Sequence, residues 1–453
     1  MLKWFTLFTT FILLLPIPSS GHYGARFEPP DGMFYHGVGW NYQNSMRLYA
    51  RMFPLEHHPL ILQVNTSLPG FRGTDVARVV GAFTNTVFHA DSQYIEYSLH
   101  FQDQQGMLDS VFALTDELDN YIDTLAIAFR QVDRPFFLRI GFEFNGAWNP
   151  YHPFIYPLAF RKLVEELRDR DVDNFATVWC YEADAAADFA DSTEDGWKWY
   201  PGDDVVDWFG LDPFDAAGFD PDLPDSTDRG GRRNITKKGK TEAFLRFARE
   251  RGKPVYLNEL SAVRIDITPD EEDVDSADGI ADWEAWFVPF FEFLGNHPEI
   301  KGMNYIDIDW SLIDQYEQQG WRDARLEINS YIRNRWVAAL MDERFINVGY
   351  DITKPESVRD EEPLQPAEMD LSVYPNPFNA RTVASYELRV PSRVNLSIYD
   401  SDGRFVWTLV DGWQSFGKHR MVWNAAGYPT GLYWLQLADD RGGKVAQPVV
   451  LVK

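Results

Sequence analysis

The chain has 453 residues, enough for two to four domains or for one large barrel with a smaller companion. Its 69 acidic residues outnumber its 42 basic ones, and the net charge of −27 repels phosphate backbones, which argues against nucleic acid as a partner. The single cysteine, Cys180, excludes an internal disulfide; its apolar setting in "ATVWCYE" reads as a small core residue.

At the N-terminus, Lys3 precedes an apolar run from Trp4 to Leu15, followed by proline and small residues. This order predicts a secretory signal over residues 1–22. The run is shorter than the roughly 20 residues a bilayer span needs, so no stable membrane span is expected in the mature protein. From residue 28 to 345, short apolar runs alternate with longer amphipathic stretches. Strands are predicted at 33–40, 59–65, 94–101, 135–143, 175–181, 205–212, 254–259 and 300–308. Their near-continuous apolar character fits parallel strands covered on both faces. Helices are predicted over 106–132 and 154–170, over 281–294 with a bend at Pro289, and over 326–343 as the closing element. Eight strands with their helices make a (β/α)8 TIM barrel. A doubly wound sheet would carry a glycine fingerprint after its first strand, and "GVGWNYQN" is not one.

Residues 213–236 and 264–280 are rich in acidic and turn-forming residues and read as long loops over the top of the barrel. Residues 346–368 read as a charged, proline-containing linker. From 369 to 453 the pattern changes to short alternating strands, predicting a small all-β, immunoglobulin-like sandwich.

Two of the predicted barrel strands end in a glutamate. "RPFFLRIGFEFNGAWNPY" brings Glu143 to the C-terminal end of the fourth strand, and "GKPVYLNELS" brings Glu259 to the end of the seventh. The C-terminal strand ends of a barrel form its active face. Hydrolysis of a glycosidic bond needs one protonated carboxyl and one carboxylate across a cleft. At period two, Arg139 shares the face of Glu143 and is expected to clamp a carboxylate. Asn145, Asn258 and His36 are expected to reach sugar hydroxyls, and Trp148 and Trp310 to stack under sugar rings. His57 and His58 lack a third ligand, no EF-hand pattern occurs, and no metal or other cofactor is expected.

These segments resemble glycoside hydrolase family 26, the β-mannanase-like barrels. "RPFFLRIGFEFNGAWNPY" is similar to the family's strand-four signature and "KPVYLNE" to its strand-seven signature. The resemblance implies Glu143 as general acid/base and Glu259 as nucleophile of a retaining hydrolase of β-mannan or a related glycan such as β-xylan or β-glucan. It departs from the family at Phe142, where a histidine is usual, and around Asp212–Phe214, where a tyrosine that holds the nucleophile is expected. A catalytically inactive carbohydrate-binding or cell-surface structural protein on the same scaffold is the alternative. Farther on, "LSVYPNPFNARTVASYEL" resembles the C-terminal sorting domain of type IX secretion cargo. That resemblance implies the secretion machinery as a partner of residues 369–453, and a secreted or outer-membrane surface location in a Gram-negative bacterium. If that region instead bound sugar, Trp413, Trp423 and Tyr433 would have to supply an exposed aromatic face.

Overall fold

The computed structural model describes residues 23–39, 43–69, 75–84, 93–103, 106–132, 134–189, 199–220, 236–270, 277–354, 371–388, 392–401, 403–414, 417–439 and 444–453. The predicted signal, most of the predicted linker and parts of both long loops lie outside them. Among the described residues, no helix is long and apolar enough to cross a membrane. The chain divides into two compact units.

The first unit is built on eight parallel strands: β1 (Phe34–Gly39), β2 (Ile61–Pro69), β3 (Tyr94–Asp103), β4 (Phe136–Ile140), β5 (Phe175–Tyr181), β6 (Trp208–Leu211), β7 (Val255–Leu260) and β8 (Ile300–Ile306). Each pairs with its neighbour in sequence, and β8 pairs back with β1, from Tyr35 opposite Gly302 to Gly39 opposite Ile306. Closure leaves no free sheet edge in this ring. Helices between the strands supply the outer layer; Tyr156–Asp169, for instance, buries Ala159, Phe160, Leu163, Val164 and Leu167. That spacing of three and four is the stripe the sequence predicts.

Side chains fill the inside of the ring in layers. At the N-terminal end, Tyr35, Phe137, Trp208 and Tyr256 form an aromatic floor, with Phe137 and Trp208 edge to face at 5.5 Å. Above it the interior turns polar. Glycine makes room there: a Cβ at Gly210 would lie 2.2 Å from Asn258 Oδ1 and 2.8 Å from Cys180 Cβ. Gly210→Ala is therefore expected to lower stability by about 1–3 kcal/mol through overpacking, readable as a lower urea midpoint with an unchanged slope.

Several predicted elements differ in detail. The helix expected over 106–132 is two helices, Asp109–Leu114 and Asp119–Val132, after a two-residue ribbon at Gly106–Met107. Thr115 breaks it: its backbone is extended and its hydroxyl donates back to Val111 O at 2.8 Å. The bend expected at Pro289 is a π-turn over Trp283–Phe287, from which a new helix, Val288–Asn296, starts with Pro289 in its first turn. Strand β6 covers only Trp208–Leu211, because the expected start at 205 is the last residue of a turn over 203–205. The closing helix is shorter, Ser330–Leu340. Residues 346–354, expected as linker, pack on the barrel: Ile346 and Ile352 join the core of its floor.

Among the described residues, the second unit has seven antiparallel strands: β9 (Leu371–Tyr374), β10 (Arg381–Leu388), β11 (Ser392–Asp400), β12 (Phe405–Gln414), β13 (Gly417–Asn424), β14 (Gly431–Asp439) and β15 (Lys444–Leu451). They form a three-stranded sheet, β9-β10-β13, and a four-stranded sheet, β12-β11-β14-β15. Inward residues of both sheets, among them Ala384, Leu396, Ile398, Trp423, Leu435 and Val449, share one core. Trp423 and Tyr433 belong to that core and offer no exposed sugar platform; the side chain of Trp413 lies outside those described.

Candidate active site

The C-terminal end of the barrel collects a set of buried ionisable groups around Arg139. Arg139 stands on β4, fully buried, and its guanidinium faces inward. Nη1 donates to Glu259 Oε1 at 2.5 Å, and Nη2 donates to Asp212 and, at 3.1 Å, to Cys180 Sγ. One planar fork thus ties the tops of β4, β5, β6 and β7 together. The Cys180 thiol donates to Asp212 Oδ2 at 3.3 Å, and burial pushes it well above the usual thiol range.

Glu259 is the penultimate residue of β7. Its backbone N–H donates to Asp212 Oδ1 at 2.9 Å, and Gln63 Nε2 donates to its Oε1 at 3.3 Å. Strict alternation would send Asn258 and Glu259 to opposite faces, yet both side chains meet interior partners. The pairing of β7 with β8 slips between Leu257 and Leu260, and such an irregularity re-aims a side chain.

Glu143 sits differently from the expectation. Strand β4 ends at Ile140, so period two does not carry Glu143 onto the face of Arg139. A turn brings it back, with Gly141 at φ 53° and Glu143 itself at φ 47°. A glutamate in the left-handed region is strained. Asn149 Nδ2 holds the turn by donating to Phe142 O at 3.1 Å. Trp148 Nε1 donates to Glu143 Oε2. Burial, reinforced by the charge of Glu259, raises the Glu143 carboxyl to about 7; Arg139 and the Trp148 hydrogen bond oppose the rise. Burial thus favours the protonated form of the Glu143 carboxyl, while Glu259 is paired with the Arg139 guanidinium.

The other predicted site residues divide. Trp148 is 53% exposed and lies beside Glu143. Asn258 is buried below the site, where Nδ2 donates to Glu96 Oε2 at 2.9 Å. Asn145 is spent on the backbone: Oδ1 accepts from Glu182 N at 3.0 Å, and Nδ2 donates to Glu182 O and Ala187 O. Neither asparagine reaches an open surface to meet a sugar hydroxyl, and two further expectations fail. His36 points out of the barrel, between Asn347 Oδ1 at 2.7 Å and Tyr49 Oη at 3.0 Å, because its neighbour Tyr35 takes the inward position. Burial pushes its imidazole down to about 4. Trp310 is 1% exposed, packed against Phe214, Tyr316 and Trp321, with Nε1 donating to Ser261 Oγ at 2.8 Å; it has no face for a sugar.

Four contributors were not among the expected site residues, though Phe142 and Asp212 stood out as departures from the family pattern. Glu96, on β3, lies fully buried and accepts from Gln63, Ser98, Asn258 and Asn304 at 2.7–3.2 Å, which fixes the layer beneath Glu259. Phe142, in the place where a histidine is usual, is a plate. The His100 ring stacks on it at 3.6 Å and the Arg139 guanidinium lies 4.3 Å from its centroid. Asp212 completes the Arg139 clamp from the top of β6. Glu182, one residue beyond β5, brings a carboxyl oxygen within 4.8 Å of those of Glu143 and Asp212.

Residues 82–275 match glycosyl hydrolase family 26, and residues 372–451 match the secretion system C-terminal sorting domain. A β-1,3-xylanase from an Alcaligenes species is 28% identical over 248 residues, 51% of this chain and 48% of that protein. A second β-1,3-xylanase, from a Vibrio species, is 29% identical over 239 residues, 50% of this chain and 47% of its own. The chain spans about half the length of these curated relatives. A family 26 β-mannanase structure from Bacteroides ovatus shares 15% identity with a TM-score of 0.42, covering 71% of this chain and 90% of that one.

Proposed function

From a chain that carries a glycosyl hydrolase family 26-like barrel and a C-terminal secretion sorting domain, we infer a secreted glycoside hydrolase that cleaves a β-linked polysaccharide with retention of configuration. The observation that carries this reading is the division of labour between two glutamates at one barrel mouth: Glu143 raised to about 7, and Glu259 held against Arg139. In the first step, Glu259 attacks the anomeric carbon while the Glu143 proton passes to the leaving glycosidic oxygen. The C–O bond to the leaving sugar breaks as the glycosyl ester forms. In the second step, the Glu143 carboxylate takes a proton from water, whose oxygen attacks the same carbon and releases Glu259. Trp148, exposed and tied to Glu143, is the ring proposed to stack under a sugar.

The two xylanase relatives make β-1,3-xylan the first substrate to try, with β-mannan and mixed-linkage β-glucan beside it. Release of reducing ends from one of these, as the β-anomer by NMR, is the expected result. Absence of turnover on all of them would overturn the reading. Since Glu143 must be protonated to act, kcat/KM is expected to fall as pH rises through about 7, checked by a pH series on a soluble oligosaccharide.

The proposed division of the chain is a signal over 1–22, a hydrolase domain from 28 to 354, a linker over 355–368 and a sorting domain over 369–453; the expected boundary at 345 moves because Ile346 and Ile352 pack into the barrel floor. The sorting domain is proposed as an immunoglobulin-like sandwich, a reading supported by its three-plus-four strands around one core. With it we propose engagement of type IX machinery and delivery to the outside of a Gram-negative cell.

A further inference from the structure

Glu182 belongs to no part of the double displacement described above, yet it is built into the same site. It is 2% exposed. Its backbone is pinned on both sides by Asn145, two residues after Glu143, so the turn that presents the acid/base also fixes Glu182. Its carboxyl lies within 4.8 Å of the Glu143 and Asp212 carboxyls. Its hydrogen-bond donor among the described residues is the Asp184 backbone N–H, at 2.6 Å.

The charges around it do not balance. Glu143 faces it from the turn after β4, Asp212 from the top of β6, and Asp184 from its own loop. Arg139 is committed to Glu259 and Asp212. Lys237 is shared by Asp184 and Asp215 at 2.8 and 2.9 Å, and Arg264 also binds Asp215. Lys240 donates to Ala185 O at 2.5 Å, no ion pair to Glu182 forms among the described residues, and an uncompensated buried carboxylate is costly. Burial first, then Asp184, Glu143 and Asp212, push its carboxyl well above the ordinary range.

Resting on the hydrolase reading, we propose that Glu182 is a positioning residue that stays a neutral carboxylic acid during turnover and lends its O–H to Glu143 when Glu143 has given up its proton. With the two carboxyls within 4.8 Å of each other, the hydrogen bond requires only side-chain movement. Below about pH 7 Glu143 carries its charge during turnover only while the glycosyl ester exists, so there the donor acts on the intermediate; above it the same donor steadies the ionised Glu143 of the free enzyme, which is what the alkaline limb reads. The proton stays on Glu182; it is shared, not transferred. A carboxylic acid kept neutral by its surroundings so that it can donate is an established way to hold a developing anion.

Two measurements test this. Infrared difference spectra of wild type minus Glu182→Gln at pH 8 are expected to show a protonated-carboxyl C=O band; a carboxylate band in its place overturns the proposal. Glu182→Met matches the length without a charge or a donor, and serves if the glutamine variant does not fold. It is expected to move the alkaline limb of kcat/KM upward and to lower kcat about 10-fold, the loss of one hydrogen bond to a charged group. The sign of the limb shift decides the role. Removing an ionised Glu182 would move the limb downward, and a merely structural Glu182 would leave it in place; either result overturns the proposal. The infrared band does not depend on turnover, so a wild-type chain inactive on every glycan sinks the hydrolase reading while the band still reports on Glu182.

Discussion

Replacing Glu259 by alanine is expected to lower kcat on a β-glycan on the order of 10⁵-fold, the scale on which loss of a covalent nucleophile acts. The Glu143→Ala variant is expected to behave differently. With natural glycans it loses about 10²–10⁴-fold, the contribution of a positioned general acid. With an aryl glycoside whose leaving group needs no proton, the first step survives and the second slows, because water lacks its base. The glycosyl ester on Glu259 should then accumulate, visible as a burst of the aryl alcohol and as a mass increase of one glycosyl unit on the peptide containing Glu259. A burst in the Glu259→Ala variant, or label on a different peptide, would refute the assignment. The Glu143→Ala variant should also lose the fall in rate near pH 7, since the group raised to about 7 is gone.

Arg139→Met is expected to cost about 3–5 kcal/mol of stability, because it strips the buried partner from two carboxylates at once. A melting temperature lower on the order of 10 °C should follow, with a matching fall in the urea midpoint. The deficit has a pH sign. Asp212 already binds its proton more tightly in the folded chain than in the unfolded one: burial raises it and the charges of Glu259 and Glu143 add, against Arg139. A carboxyl raised on folding contributes stability below its unfolded value and loses it as pH rises through the folded one. Without Arg139 that rise grows, so the variant should lie nearest to wild type in acid and farthest from it in alkali. A uniform deficit across pH would mean that lost packing on Phe142 and Cys180, and not unpaired charge, is the cause. Arg139→Lys should recover only part of the loss, since an ammonium cannot span Glu259 and Asp212 as the planar fork does.

The barrel is legible in the sequence because its strands are apolar on both faces and its helices carry a strong stripe. Glu259 is legible as the carboxylate that closes such a run. What escapes is everything set by closure of the ring. Glu96, Gln63 and Asn304 come from three strands and meet only when β8 returns to β1, and a linear pattern has no such neighbourhood. The inward or outward choice at β1 depends on one residue of register, so Tyr35 takes the floor and His36 turns to Tyr49 and Asn347. Trp310 falls because a tryptophan after a barrel strand stacks on sugar only if a loop leaves it open; here Trp321 and Tyr316 fold over it. Phe142 was seen as a lost polar group, whereas in the fold it is the surface on which His100 and Arg139 rest.

The left-handed backbone at Glu143 has a consequence for how such a protein drifts. At φ 47° a glycine or an asparagine would sit with less conflict than the glutamate proposed as the acid/base. Selection for robustness alone would thus push this position away from its acid, and a lineage released from its substrate would be expected to shed Glu143 early while keeping the barrel intact. The identity of this one residue is therefore a record of whether the lineage is still selected for cleavage.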